Sequence, residues 1–204
     1  SLKPLSDRAS EIAVKVDPIL DQDALANYAT EVDHLLEEAL AQANSQSASG
    51  YIFGGTISDQ VPFSASRNED GQITSVTYAG NQSISPTDIA PESTVNAMII
   101  GSNDTNTGPP GLFVDQRSEA DFFGHLISLR DHLQAGDITA IQKTDIKALE
   151  ADEDNFLFHL SATGSLQARI ELSQARLTEQ SHNVAVQTSK LTDADLAETL
   201  VSLN

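Results

Sequence analysis

The sequence predicts a mainly α fold with a β-rich insertion, a long-helix rod carrying a small β domain, and three observations predict it. Apolar residues recur every three or four positions near the N-terminus, glycine and proline crowd the middle of the chain, and the last third is almost free of both. These patterns divide the chain into a discontinuous helical rod, residues 1–57 and 117–204, and a β-rich outer domain, residues 58–116. A chain of 204 residues can bury a core as one domain or as two modest ones, so the division has to come from pattern and not from length.

Between Ser6 and Gln46 the residues Leu25, Tyr28, Val32, Leu35, Ala39 and Ala43 fall along one side of an α-helix. Asp17-Pro18 interrupts that run. Asp is a favoured N-cap and Pro suits the first helical position, so a helix ending near Val16 is expected to restart at Pro18.

From Gly50 to Gly111 lie eight of the 11 glycines and five of the seven prolines, which is the chemistry of turns and short strands. Strands are expected at Tyr51 to Phe53, Gln72 to Tyr78 and Val95 to Ile100, where β-branched and aromatic residues concentrate between turn formers. Gly101 to Pro110 reads as a loop. Tyr51, Ile52 and Phe53 leave the first helix as an apolar triplet, and Gly54-Gly55 permits positive φ, so a hairpin bracing the rod is expected there. In Tyr78-Ala79-Gly80-Asn81, Gly-Asn is a turn dipeptide whose Asn can take a left-handed conformation.

Ser118, with Asp121 three residues on, resembles a capping box opening a helix over Phe122, Leu126, Leu129 and Leu133. Gly136 would end that helix and Asp137 would cap the next. Ile138 to Leu203 contains no Pro and only Gly164, so it reads as one helix, with a new start at Asp152-Glu153-Asp154 as the alternative. Within it Ile170, Leu177, Val184 and Leu191 recur every seven residues, but Ser173, Gln180 and Gln187 occupy the second seam. Such a half-polar stripe is expected to pack on the N-terminal helix of the same chain, or else to be shared with neighbouring subunits.

Charge and composition narrow the function. A net charge of -19 repels nucleic acid and anionic membrane alike, and no apolar run approaches the roughly 20 residues that span a bilayer. With no cysteine there is no disulfide, zinc thiolate or thiol nucleophile. His34, His125, His132, His159 and His182 form no i, i+4 pair for a metal, and His34 with Glu38 reads as a solvated pair. Asn68-Glu69-Asp70-Gly71 lacks the later ligands of a calcium loop and reads as a turn. No nucleophile elbow or phosphate loop is present, so no catalytic residue, cofactor or metal is expected.

Several short motifs, in order, resemble one family. Tyr51-Ile52-Phe53-Gly54-Gly55-Thr56 after a long helix, then Pro62-Phe63, then Tyr78-Ala79-Gly80-Asn81, are similar to segments of the flagellar hook-filament junction protein, also called hook-associated protein 3. Leu129, Leu133 and Gly136-Asp137 resemble that family's two-helix corner, and Gly164 with Arg169-Ile170 resembles in part a Gly-Ala-Arg-any-Asn-Arg-Leu segment, from which Gln167 and Ala168 depart. Asp193-Ala194-Asp195-Leu196-Ala197-Glu198 resembles the acidic motif the family shares with flagellin. The likeness covers most of the chain but is punctate in the insertion, where Gly101 to Pro110 follows no family pattern.

This resemblance implies a flagellin-like helical core, no enzymatic activity, and a secreted structural subunit joining the hook to the filament outside the cell. Its partners would be other flagellar axial proteins, namely the first hook-associated junction protein, flagellin and further copies of itself in a ring, with an export chaperone possible. Ser1-Leu2-Lys3-Pro4 has neither an initiator Met nor a signal core, so either a leader has been removed or the sequence begins in mid-chain. Members of the family carry further helical segments at both ends, so the resemblance implies a core trimmed of terminal polymerisation helices and monomeric in solution. Asp193 and Asp195 could cap a helix, bind a cation or meet a neighbouring subunit. With Leu196, Leu200 and Leu203 they are the candidate assembly residues. The alternatives are flagellin itself, and a secreted adhesin or ligand-binding module whose Ser/Thr/Asn-rich insertion binds a receptor or glycan.

Overall fold

A computed structural model describes residues 2–90 and 93–202 of the chain, the side chains of Ala90, Leu191 and 193–202 excepted. Its elements run α1 (Lys3–Lys15), α2 (Gln22–Ala43), β1 (Gln46–Ser47), β2 (Gly50–Tyr51), β3 (Phe63–Arg67), β4 (Ile73–Tyr78), β5 (Thr87–Ala90), β6 (Ser93–Val95), β7 (Ile100–Asn103), β8 (Gly111–Asp115), β9 (Ala120–Asp121), α3 (Phe122–Ala135), α4 (Ile138–Ala140), a π-helical turn (Ile141–Asp145) and α5 (Ile146–Ser202). The expected order of helices, small sheets and helices is present. Two compact units divide the chain: one holds everything up to Pro86 with Asn96–Ser161, the other Thr87–Val95 with the chain from Ala162 onward.

In the first unit, α2 turns its apolar side, Leu25, Ala29, Val32, Leu36 and Ala39, onto Leu126, Leu129 and Leu133 of α3. Ile12 and Ala13 of α1, Ile141 and Leu149 complete the same core. Phe63, Phe113 and Phe123 extend it at the strand end, their ring centroids 5.2–5.3 Å apart. A residue of this kind contributes roughly 1.5–3 kcal/mol by burial. Two antiparallel hairpins, β1-β2 and β3-β4, and a three-stranded sheet ordered β7-β8-β9 attach to it, with β7 parallel to β8.

The second unit consists of the antiparallel β5-β6 hairpin and the distal part of α5. The Ser173 hydroxyl donates to the Ile89 carbonyl at 3.2 Å, fixing the hairpin to the helix.

Several local expectations are corrected. The second helix restarts four residues later than Pro18: Asp21 is the N-cap, its carboxylate accepting from Ala24 N–H at 2.8 Å. Asp17 instead closes a turn by accepting from Ile19 N–H at 2.9 Å. Ser118 is not a cap either. Glu119 has φ 58 and residues 120–121 pair with β8, so the helix opens at Asp121, which accepts from Gly124 N–H. Gly101 to Asn103 belongs to a strand, because parallel pairing with β8 holds a Gly-Ser-Asn run that strand propensity disfavours. Phe63–Arg67 and Gly111–Asp115 are strands as well, and Val95 to Ile100 is strand only at its two ends.

The two-helix corner forms as read. Gly136 takes φ 67 as the left-handed C-cap of α3, and Asp137 accepts from Ala140 N–H at 3.0 Å. Helical structure then continues from Ile138 to Ser202 through the π turn, with no new start at Asp152.

Leu177 and Val184 of the heptad stripe are 40% and 55% exposed, and the apolar side of α2 packs on α3.

Candidate functional site

Two of the motifs that carried the resemblance, at 51–56 and 78–81, meet in space. Asn81 N–H donates to the Gly54 carbonyl at 3.1 Å, its Oδ1 accepts from Thr56 N–H at 3.0 Å, and its Nδ2 donates to Thr56 Oγ1 at 2.8 Å. The Tyr78 hydroxyl donates to the Phe53 carbonyl at 2.9 Å and lies 3.1 Å from the Asn81 carbonyl, while Gly101 N–H shares the Phe53 carbonyl at 2.9 Å. Burial, which outweighs the backbone hydrogen bond at Gly101, raises the Tyr78 phenol pKa and keeps it a donor.

Glycine is required here by contact. Gly55 has φ 68, and a Cβ on it would lie 2.3 Å from the Asn81 carbonyl oxygen; on Gly80 it would lie 2.4 Å from the Tyr78 ring. Of the expected positive-φ residues only Gly55 is one, since Gly54, Gly80 and Asn81 are not. Asn81 works through its side-chain amide and not through a left-handed backbone. Tyr51 and Ile52 stand outside the clasp, their N–H groups donating to Ser58 and Ser45 carbonyls. The arrangement is a clasp between two segments 25 residues apart, able to hold a corner rigid.

A second constellation lies between α3 and the helix that follows it. His125 Nδ1 is 2.8 Å from Asp152 Oδ2, and His132 Nδ1 is 2.7 Å from Asp145 Oδ2. Both carboxylates are buried. Asp152 also accepts from Asp121 N–H at 2.9 Å, and Asp145 from Ser128 Oγ at 2.9 Å. Burial pushes the Asp152 carboxyl up to about 6 against the opposing pull of His125. For His125, burial lowers the pKa but the hydrogen bond and charge of Asp152 outweigh it, so the net shift is upward.

The seam was missed because each histidine meets an aspartate from another helix. The available signal was a shared spacing of seven, His125 to His132 and Asp145 to Asp152, which an antiparallel pair of helices brings into register. The Ser128, His132 and Asp145 group is not a nucleophilic triad. The hydroxyl gives its proton to the carboxylate, and the imidazole holds the other oxygen of the same carboxylate.

A third anchor fixes the strands to α5. Asn155 Nδ2 donates to the Gly111 and Leu112 carbonyls at 3.0 and 2.8 Å, and His159 Nε2 lies 3.0 Å from the Gly111 carbonyl. Buried Asp115 accepts from Gly111 N–H and from the Arg117 guanidinium, and these bonds outweigh burial to keep its pKa low. Arg130, also buried, donates to Asp33 of α2, to Asp131 and to the Ile73 carbonyl. Among the described residues no group of three or more His, Asp or Glu is placed to hold a metal, and no helix is long and apolar enough to cross a membrane.

The candidate assembly residues Asp193, Asp195, Leu196 and Leu200 fall on the backbone of α5, with side chains outside the described set, and Leu203 lies outside the described residues. Upstream of them the helix presents Leu172, Leu177, Val184 and Val186 to solvent.

Neither a protein-family model nor a curated protein matches the chain. Solved structures do. A crystal structure of Bacillus cereus FlgL is 22% identical, covering 90% of this chain and 80% of its own with a TM-score of 0.65. Flagellar hook associated protein-3 from Legionella pneumophila is 16% identical, covering 97% and 90% with a TM-score of 0.61. Xanthomonas campestris FlgL is 16% identical, covering 92% and 90% with a TM-score of 0.63. The chain has the fold of these flagellar hook-associated proteins. At these identities the likeness concerns the fold, and the clasp and the seam are described from this chain alone.

Proposed function

We propose that the chain is a non-catalytic structural subunit of the bacterial flagellum, acting outside the cell at the junction between hook and filament. The observation that carries the reading is the shared fold over nearly the whole chain; in this chain the motifs at 51–56 and 78–81 also close on each other. A joint between a flexible and a stiff tube has to transmit torque without local melting. The clasp, the double His-Asp seam and the buried Arg130 bridge each tie segments distant in sequence, which supports that mechanical role.

The helical segments 1–57 and 117–204 would carry contacts to the first hook-associated protein, to filament subunits and to further copies in a ring, and 58–116 would form an outer domain. Repetition of one heterologous contact around an axis gives a ring or tube. Asp193, Asp195, Leu196, Leu200 and Leu203 would belong to that contact. Deleting the gene should leave cells with hooks but no attached filaments. Restoring it with Leu196→Ala and Leu200→Ala should impair attachment while the helical circular dichroism stays unchanged. Normal filaments on the deletion strain would contradict the proposal.

A further inference from the structure

Between the β3-β4 hairpin and the three-stranded sheet lies an open cleft of about 480 Å3. Val76, Val114 and Phe123 are among its apolar lining, and Ser102, Asp104, Gln82 and Asp121 among its polar lining. The strand register orders these groups. Ser102 of β7 stands opposite Val114 of β8, and Val114 opposite Asp121 of β9, so the three side chains form a row across one face of the sheet. Neighbouring strands lie about 4.8 Å apart, which sets the two ends of the row about 10 Å from each other with an apolar residue between them. Asp104, two residues on from Ser102 and accepting from Gln82 Nε2 at 3.0 Å, adds a carboxylate at that end.

Ser102 is only 8% exposed, yet among the described residues its hydroxyl has no hydrogen-bond partner. A buried hydroxyl left in this state costs free energy that a ligand in the cleft would recover. The unpaired hydroxyls of Ser6 and Ser10 are enclosed by protein, whereas Ser102 opens onto the cleft. Each carboxylate also has an oxygen to offer. Asp121 Oδ1 caps Gly124 and Asp104 Oδ1 takes Gln82, while neither Oδ2 has a partner among the described residues.

Among the described residues no Lys, Arg or His lines the cleft. Its lining is rich in acceptors and short of donors, so it suits positively charged N–H groups better than a sugar, whose hydroxyls need donors as well. The α3 N-terminus brings about half a positive charge to Asp121, which the full charge of the carboxylate exceeds.

We propose that this cleft binds a short aliphatic diamine, one ammonium group meeting the Ser102 hydroxyl and Asp104, the other meeting Asp121, with the methylenes along Val114. Allowing about 2.8 Å for each charge-assisted hydrogen bond, a row of about 10 Å leaves room for roughly three or four methylenes. The site is separate from the junction role, and neither depends on the other.

Isothermal titration calorimetry of the whole chain with putrescine, the four-carbon diamine, tests the proposal at neutral pH. Butylamine, with one ammonium group, and butanediol, with none, are the comparisons. Putrescine should bind at a single site, butylamine about tenfold more weakly, and butanediol not at all. Ser102→Ala, which leaves the net charge as it is, should weaken putrescine binding about threefold or more through the lost hydrogen bond. Asp104→Asn and Asp121→Asn should each weaken it about tenfold or more, and the Asn at 121 still caps α3. Unchanged circular dichroism checks that each variant folds, and the three-ligand comparison on the unaltered chain needs no variant. No binding of putrescine, equal binding of butanediol, or an affinity unmoved by Ser102→Ala or by Asp121→Asn would overturn the proposal. An unmoved affinity would be the general attraction of a chain with net charge -19 for any cation.

Discussion

Replacing Asp152 by Asn probes the buried seam with the least change in shape. The amide oxygen can still accept from Asp121 N–H, and the amide nitrogen can donate to His125 Nδ1 in the other tautomer, so packing is kept while the carboxyl group no longer titrates. In the folded chain the Asp152 pKa rises from 3.8 to about 6, so the folded state holds that proton more tightly than the unfolded one. Stability from this group is therefore fully present at low pH and is lost as pH rises from about 4 through about 6. At about 1.4 kcal/mol per pH unit the loss amounts to about 3 kcal/mol, an upper figure because His125 titrates with it. His125, also shifted upward, adds a loss of the same sign as pH climbs beyond its ordinary 6.5. The assay is urea unfolding of both proteins between pH 4 and 8, taking the difference in stability at each pH. That subtraction removes the opposing contributions of Glu11, Glu31, Glu37 and Asp115, which are held low and stabilise as pH rises. Wild type should lose its advantage over Asp152→Asn by about 2–3 kcal/mol across the range, and parallel curves would refute the assignment.

Three further outcomes are expected. Asn81→Ala should cost about 1–2 kcal/mol through the lost bonds to Thr56, and Gly55→Ala at least as much from its left-handed backbone alone, both read by thermal unfolding. His159 is held low by burial, so its contribution weakens as pH falls below 6.5; His159→Gln should remove that acid sensitivity, measured by the same unfolding series. Gly164 sits in α5 with nothing within 4 Å of a would-be Cβ, so Gly164→Ala should raise helix content or melting temperature, by about 1 kcal/mol in free energy.

What could be read from the sequence was what local rules govern. Gly136-Asp137 works as a corner because the left-handed cap and the N-cap are properties of those two residues. The order of helix, strands and helix followed from periodicity and from where glycine and proline gather. Competing local signals misled the reading at Asp17 and Ser118: each has a cap-forming side chain, but Asp21 and Asp121 lie where the backbone actually turns helical. Strand β7 was hidden because Gly101, Ser102 and Asn103 are poor strand formers held by a parallel neighbour that the sequence does not announce.

For the candidate site, the motif residues were visible but their mutual contact was not. Nothing in Tyr-Ile-Phe-Gly-Gly-Thr states that Thr56 will bind Asn81, 25 residues away. The His-Asp seam needed the antiparallel pairing of α3 with the following helix before its spacing of seven could mean anything. The heptad row was legible, but what covers Leu177 and Val184, which are exposed, was not, because periodicity identifies an apolar face without naming its partner.

Immunogold labelling of intact flagella with an antibody against this chain tests the central claim most directly. A discrete band where the hook meets the filament is the expected result. Label spread along the filament, or absent from the flagellum, would contradict the account.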